Sequence, residues 1–333
     1  MKLRIVLALA LALFSINWTV HDLGTLPGGG YSTAMSISNS GYIVGYAQNS
    51  AGRQRAVWFK GKGAVEIPTG PASFIGAVAN KVNDAGFVAG QAEGAGFYTW
   101  YGGSVVSYGP NTGAYSVNQY NDIGGYTVPS PSYNAAYIWY GATSPWYLGH
   151  LGGGSSTTRD LHEYPLACGW SSFHQSYPTM NHAFLWYEGS MLDLGTLGGD
   201  RSGADALAVT YWPDYSFGSV WVVGHSELPS LDWHAMVWNA GVMTDLGVLP
   251  GHDQSRALDI NHSKTIVGFS MKTGTSVQRA VMWSGGVMYD LNDFLPPGSG
   301  WELKSATGIN EHGQIVGGGV HFGVSRAFRL DPW

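Results

Sequence analysis

Short motifs recur along this chain, and their recurrence constrains the fold more than any other feature of the sequence. Asp-Leu-Gly appears at Asp22, Asp193 and Asp245. A second motif, Ile-Val-Gly, follows a polar turn sequence, and a third joins His or Arg to Ala, an apolar residue and Trp. Units that share sequence fold alike, so the chain has to adopt a repeat architecture.

The residue that ends the third motif marks seven units, at Phe59, Trp100, Trp139, Trp186, Trp238, Trp283 and Leu330. Each unit holds four short apolar stretches, and Asn-x-x-Gly between the first two predicts a tight turn with a positive φ. Four antiparallel strands in about 45 residues match one propeller blade. The 49 glycines and 14% aromatic residues are typical of short strands joined by tight turns. We therefore predict an all-β, seven-bladed β-propeller.

The two ends of the chain complement each other. The last unit stops after its third stretch, at residues 326–333, whereas a fourth-stretch motif at residues 20–26 precedes the first unit. We predict that this N-terminal strand completes the last blade and closes the ring, because an unpaired edge would otherwise be exposed. An open solenoid of the same repeats is the alternative, and it requires caps that the sequence does not display.

The first 17 residues resemble an export signal. Lys2 and Arg4 precede an apolar run from Ile5 to Phe14, which is too short to cross a bilayer as a helix. We predict a signal peptide at 1–17, a single domain at 18–333, and a secreted or periplasmic protein without a membrane span in its mature form. A buried helix or strand is the alternative for this segment. Cys168, the only cysteine, is expected to be buried and leaves no internal disulfide.

The run from His182 to Gly199, together with Ile-Asn-x-x-Gly-x-Ile-Val-Gly, resembles the HAF-repeat family of probable extracellular proteins. The match covers nearly all of the predicted domain and is degenerate in units two and three. The resemblance implies secretion and a repeat fold, and it carries no settled activity or catalytic residues.

Composition and motifs exclude several functions. Sixteen Lys and Arg against 22 Asp and Glu leave no basic surface for nucleic acid. No phosphate-binding loop, hydrolase nucleophile motif or metal-ligand spacing is present in the sequence. We predict a monomer with no cofactor and no bound metal.

Residues that recur are expected to serve structure. The motif's His or Arg is predicted to bond a neighbouring part of the fold, such as a loop carbonyl on the next blade, at Arg55, His182, His234, Arg279 and Arg326. The repeated Trp residues are predicted to fill the core between blades.

First strands line the channel of a propeller, and two sets of residues are predicted to face it. The first set comes just before the repeated Ile: Ser36, Lys81, Ser116, Asp160, Ala208, Asp259 and Gly308. The second comes just after it and is expected to satisfy turns and channel water: Ser38, Asn83, Asn118, His162, Thr210, Asn261 and Asn310.

Function is sought where the units differ, and units four and five carry extra aromatic and polar residues. Flat aromatic faces beside hydrogen-bonding groups suit sugar rings. We predict a binding module for a polysaccharide or cell-surface ligand, with these binding residues: Trp170, Phe173, His174, Tyr177, Trp212, Tyr215 and Trp233.

Catalysis on the same scaffold is the alternative. A polysaccharide lyase needs a cation beside a uronate and a His or Tyr to move protons, and unit four offers Arg159, His162, His174 and Tyr177. A glycoside hydrolase using Asp160 and Asp259 is less favoured. A purely structural exported repeat protein is also compatible with the sequence.

Overall fold

The computed structural model describes residues 18–69, 76–130, 133–141, 145–163, 166–174, 180–211 and 217–332. The strands of these residues form seven sheets of four antiparallel strands each. Consecutive sheets pack on one another, and the seventh packs on the first, which makes a closed ring. The prediction of an all-β, seven-bladed propeller is confirmed.

The first four blades follow the chain without interruption. Their strands are β2 (Ser32–Ile37), β3 (Ile43–Gln48), β4 (Gln54–Lys60) and β5 (Gly63–Glu66) in blade 1, and β6 (Ala77–Val82), β7 (Val88–Ala92), β8 (Gly96–Tyr101) and β9 (Ser104–Ser107) in blade 2. Blade 3 has β10 (Thr112–Val117), β11 (Ile123–Ser130), β12 (Tyr133–Trp139) and β13 (Trp146–Gly149), and blade 4 has β14 (Ser156–Leu161), β15 (Leu166–Ser172), β16 (Asn181–Tyr187) and β17 (Ser190–Asp193).

The remaining blades include the longest strands and the point of closure. Blade 5 has β18 (Ser202–Tyr211), β19 (Phe217–Glu227), β20 (Trp233–Asn239) and β21 (Val242–Asp245), and blade 6 has β22 (Gln254–Ile260), β23 (Ile266–Met271), β24 (Gln278–Ser284) and β25 (Val287–Asp290). A 3-10 turn (Leu291–Phe294) leads to blade 7, which has β26 (Trp301–Ile309), β27 (Ile315–His321), β28 (Val324–Asp331) and β1 (Thr19–Asp22).

The N-terminal strand completes the last blade, as the sequence predicted. β1 pairs antiparallel with β28, with Val20 opposite Leu330 and Asp22 opposite Phe328. The next residue, Leu23, donates its backbone N–H to the carbonyl of Ala327 at 3.0 Å and is buried between blades 7 and 1. The ring is therefore closed by hydrogen bonds between the two ends of the described chain.

The core consists of clusters between neighbouring blades. Each of seven buried clusters in the described chain joins the strands of two consecutive blades, and the blade 5–6 cluster packs Trp283 against Ala206 and Ala208. The repeated Trp residues contribute to these clusters, as predicted, and Cys168 is fully buried in the blade 4–5 cluster. Burying one such large apolar side chain stabilises a fold by about 1.5–3 kcal/mol.

The repeated His or Arg makes a different contact from the one expected. Its usual partner is a carboxylate on the fourth strand of the same blade: the Nδ1 of His182 lies 2.9 Å from Asp193, and that of His234 lies 2.9 Å from Asp245. Of the five, Arg326 also donates to a carbonyl of the next blade, that of Gly30 at 3.3 Å.

The bond to the neighbouring blade comes instead from a repeated hydroxyl that the sequence analysis did not single out. The hydroxyl of Ser202 donates to the carbonyl of Gly195 and accepts the backbone N–H of Ala183, which belongs to the His-Ala motif of the previous blade. The same bridge recurs at Ser32, Thr112, Ser156 and Ser255.

Candidate functional site

The ring has two faces, and they are built differently. The turns between first and second strands lie on one face, named here the turn face. The loops between second and third strands, and those between blades, lie on the opposite face, the loop face.

Each first strand carries a β-bulge, and the bulged residue faces the channel. The register of β18 with β19, for example, shifts between Ala204 and Ala206, which leaves Asp205 as the extra residue. The bulged residues of all seven blades line one cavity of about 110 Å³ on the axis: Met35, Asn80, Tyr115, Arg159, Asp205, Leu258 and Thr307.

The bulges correct the predicted alignment of unit five. The Oδ2 of Asp160 accepts the backbone N–H of Leu207, as the hydroxyl of Ser116 accepts that of Leu161 one blade earlier. Leu207 is therefore the counterpart of the repeated Ile, and Ala206 and Ala208 take the places that we assigned to Ala208 and Thr210. The motif Ala-x-x-apolar fits this strand in two registers, two residues apart, which explains the error.

An ion cluster closes the middle of the channel. The Nζ of Lys81, from blade 2, lies 3.6 Å from Asp160 of blade 4 and 3.7 Å from Asp259 of blade 6. Burial acts to lower the pKa of Lys81, but the two carboxylates outweigh it and place that pKa above its ordinary value. Burial raises the pKa of Asp259, with Lys81 acting in the opposite direction.

The carboxylates of this cluster also hold the blades together. The Oδ2 of Asp259 accepts the backbone N–H of Ile309 on the next blade at 2.9 Å, and the Oδ1 of Asp160 accepts the hydroxyl of Ser116 at 2.8 Å. These contacts give both carboxylates a structural role in joining neighbouring blades.

A cavity of about 210 Å³ opens on the turn face of the cluster. His162 and His262 line it, with 6.4 Å between their ring centroids. Burial, together with His262, lowers the pKa of His162 to about 4, so this imidazole is neutral at pH 7.

A group of side chains that do not recur at the same position in the other blades lies on the loop face, between blades 4, 5 and 6. A cavity of about 260 Å³ is lined there by two indole rings, three guanidinium groups and four other polar side chains: Trp170, Trp233, Arg159, Arg201, Arg256, Asn181, Ser202, Asp205 and His225. We name it the Asp205 pocket.

Asp205 organises the charged side of this pocket. Its carboxylate accepts from the Nε of Arg256 at 2.8 Å and lies 3.1 Å from the Nδ1 of His225 and 3.6 Å from Arg159. Burial acts to raise the pKa of Asp205, but Arg256 and the hydrogen bond of His225 outweigh it and hold that pKa far below its usual range. Asp205 is therefore ionised at any pH at which the protein would work.

The same contacts fix the state of His225. Burial lowers its pKa below the ordinary value, Arg256 and Arg159 act in the same direction, and Asp205 opposes them. Because the neutral imidazole donates from Nδ1 to Asp205, its Nε2 carries the lone pair. A side chain at Gly203 would strike this ring, since a Cβ built there lies 2.9 Å from the imidazole.

The aromatic side of the pocket is held in place as well. The ring of Trp233 lies 5.1 Å from that of His225, and the guanidinium of Arg201 lies 5.0 Å above its centroid. Arg201 in turn donates to Glu227, with the shorter contact at 2.6 Å. One lining group is unsatisfied: the Oδ1 of Asn181 is buried without a hydrogen-bond partner in the described chain.

The structure brings some predicted site residues together and separates others. Arg159, Trp170 and Trp233 line the Asp205 pocket, whereas His162 lies beyond the ion cluster on the turn face. Phe173 packs on His182, with ring centroids 4.2 Å apart, and His174 is exposed on the loop face. Tyr177, Trp212 and Tyr215 lie outside the described residues.

Sequence reasoning missed Asp205, Arg201, Arg256 and Asn181 as pocket residues. One signal could have located Asp205. An alanine three residues before the repeated Ile recurs in six units, and Asp205 follows that alanine in unit five. No comparable signal marks Arg256, which enters the pocket from the neighbouring blade.

Comparison with solved structures supports the fold. A lectin from Aleuria aurantia, solved in complex with Fucα1-6GlcNAc, is 13% identical with a TM-score of 0.44, covering 82% of this chain and 99% of its own. A gluconolactonase from Xanthomonas campestris is 10% identical with a TM-score of 0.44, covering 97% and 92%. The extracellular domain of a proposed one-component system from B. thetaiotaomicron is 8% identical with a TM-score of 0.50, covering 92% and 39%. Of these three, the structure with a TM-score of 0.50 supports the fold, and its identity of 8% supports nothing beyond the fold.

No family model matches the chain, and no curated protein matches it. Among the described residues there is no helix whose length and apolar character would let it cross a membrane.

Proposed function

We propose that this protein is a glycan-binding propeller and that the Asp205 pocket holds the sugar. The observation that carries the proposal is the meeting of Trp170 and Trp233 with charged and amide side chains in one cavity of about 260 Å³. This cavity lies in blades 4 to 6, and units four and five of the sequence carry the extra aromatic and polar residues.

The chemistry of the pocket suits a sugar. A pyranose ring presents an apolar C–H face to an indole and hydroxyls around its edge to hydrogen-bonding groups. The guanidinium of Arg201 and the amide side chain of Asn181 line the cavity and supply polar groups for such hydroxyls. Arg201 and Trp233 are held by neighbouring contacts before binding, which lowers the entropic cost of association.

Location outside the cytoplasm, membership of the HAF-repeat family and a monomeric state stay predictions from the sequence. The export-type segment at 1–17 supports the first of them and lies outside the described residues.

The proposal is tested by a binding screen against neutral and acidic polysaccharides. Trp170→Ala and Trp233→Ala should each weaken retention about tenfold or more, because aromatic anchors carry much of the affinity of such sites. Trp146→Ala is the matched control, since that indole is 56% exposed on the outer strand of blade 3. Equal losses of retention in all three variants would refute the proposal. A loss of retention in Trp170→Ala and Trp233→Ala that follows a loss of thermal stability would also refute it.

A second candidate, β-elimination on a uronate, is favoured by the pairing of His225 with Asp205. In such a step the Nε2 of His225 takes the C5 proton of the uronate and the electron pair of that C–H bond becomes the C4=C5 double bond. The C4–O bond breaks with its electron pair on oxygen, which takes a proton from water, and His225 returns its proton to the hydroxide formed. The neighbouring guanidiniums would stabilise the charge that develops on the carboxylate.

This candidate differs from glycan binding in its product. Incubation with polyuronates should yield unsaturated sugar ends, visible by their ultraviolet absorbance, and His225→Gln should abolish them. Binding without any product would leave the binding function and exclude the lyase.

A further inference from the structure

We infer that the Asp205 pocket selects anionic sugars, bearing a uronate carboxylate or a sulfate ester, and that Arg159 is the residue that contacts the acidic group. This inference rests on the proposed glycan-binding function. It is carried by the charges that line the pocket and by the way in which each of its guanidiniums is held.

The pocket has an excess of positive charge. Arg159, Arg201 and Arg256 are balanced by two carboxylates, those of Asp205 and Glu227, so one positive charge remains. Because the imidazole of His225 is neutral, it does not alter this balance. The chain as a whole has a formal net charge of −6, which makes a cationic pocket unusual on this molecule.

The charges of the neighbouring channel do not cancel this excess. The Lys81 cluster contains one cation and two carboxylates, but these carboxylates are engaged by Lys81 and by backbone amides of the following blades. These carboxylates are buried and already paired. Arg159 is the cation that lines both the channel cavity and the Asp205 pocket.

Two of the three guanidiniums are already bound in two-point contacts. Arg256 donates to both oxygens of Asp205, and Arg201 donates to both oxygens of Glu227. A two-point contact of this kind uses two of the five N–H donors of each guanidinium and fixes its orientation on a carboxylate of the protein.

Arg159 is held differently. Its Nη2 lies 3.6 Å from Asp205, which is longer than a hydrogen bond, and its guanidinium lies over the ring of Tyr115 at 4.1 Å. The side chain is 29% exposed. A guanidinium has five N–H donors in a planar fork, so Arg159 is positioned by Tyr115 and still has donors for a planar or tetrahedral anion.

The test compares polygalacturonate, its carboxyl-reduced neutral form and a sulfated galactan, at physiological ionic strength. The acidic polymers should bind at least about tenfold more tightly than the neutral one, because a charge-assisted pair is replaced by a neutral hydroxyl. Arg159→Gln should weaken binding of the acidic polymers roughly ten- to a hundredfold, which is a much larger loss than for the neutral polymer. Arg159→Lys should retain part of the preference.

Arg53→Gln is the control, since it removes the same charge from an exposed position on the same face. If Arg53→Gln weakens binding as much as Arg159→Gln, the preference comes from net charge and the inference fails. If the neutral polymer binds as tightly as the acidic ones, the inference fails while the glycan-binding function stands. If no polymer is retained, the glycan-binding function itself fails. Binding of one acidic polymer alone supports the inference and identifies the acidic group as carboxylate or sulfate.

Discussion

The turn face and the Asp205 pocket are both built from four-stranded blades, but they differ in how often their side-chain contacts recur around the ring. On the turn face, one contact is copied from blade to blade. In the pocket, the contacts that hold Asp205, Arg201 and Arg256 each occur once. Contacts that are copied around a ring serve the ring, and contacts made once can serve a ligand.

The copied contact comes from the asparagine that begins the turn in blades 2, 3, 6 and 7. The Nδ2 of Asn83 donates to the backbone carbonyl of Asn118 on the next blade at 2.9 Å, and Asn310 donates to the carbonyl of Ser38 at 3.1 Å. Asn118 and Asn261 repeat it. In the turn itself, the Oδ1 of Asn83 accepts from Phe87, and Gly86 has the positive φ of 81° that the motif predicted.

Three blades depart from this pattern: blade 1 with Ser38, blade 4 with His162 and blade 5 with Ala208. Blades 4 and 5 also supply most of the Asp205 pocket. In these two blades, the loss of the copied asparagine coincides with the gain of contacts that are made once.

The largest effect is expected from removing β1, the strand that closes the ring. Deletion of Thr19–Asp22 should prevent folding, because β28 loses its partner and the interface between blades 7 and 1 opens. Circular dichroism and size-exclusion chromatography would show an unfolded or aggregating product. Val20→Thr, which alters β1 but keeps the strand, serves as the control. A soluble and fully stable truncated protein would contradict the closure of the ring by β1.

A smaller effect is expected from restoring the repeat at His162. The pKa of this imidazole is about 4 in the fold and about 6.5 when unfolded, so the unfolded chain takes up the proton first as the pH falls. Stability should therefore be full above pH 6.5 and should decline by about 3 kcal/mol as the pH falls to 4.

His162→Asn should remove this loss, because asparagine does not titrate and is the residue at this position in blades 2, 3, 6 and 7. Denaturant unfolding between pH 4 and 7 measures the effect, with the exposed His312→Asn as the control. An unchanged pH dependence in His162→Asn would show that this imidazole is not the group responsible.

The smallest of the three effects concerns a single copied contact. Asn83→Ala removes the bond to Asn118 and the acceptor of the turn, and should cost about 1–3 kcal/mol in the free energy of unfolding. Glycan binding should be unaffected, because Asn83 lies on the turn face, away from the Asp205 pocket. Arg159→Gln should give the opposite result, with weakened binding and little change in stability. Loss of binding in Asn83→Ala would remove the distinction between the two regions.

Much of the fold could be predicted because repetition is visible along the chain. The motif ending at Trp186 appears again at Trp238 and Trp283, so the number of blades and the partner of β1 could be inferred. The site could be predicted only in part. Trp170 and Trp233 stood out as additions to the repeat, but two registers fitted the first strand of unit five, and the wrong one hid Asp205.

The order of residues alone determined the seven units, the four strands in each and the closing of the ring by β1. It did so because each blade buries the same periodic apolar pattern against its neighbour. Only the tertiary structure decided that Lys81 meets Asp160 and Asp259, and that Arg256 reaches Asp205 from another blade. Such meetings depend on the packing of the blades around a common axis, which brings side chains from strands that are far apart in the sequence to one place.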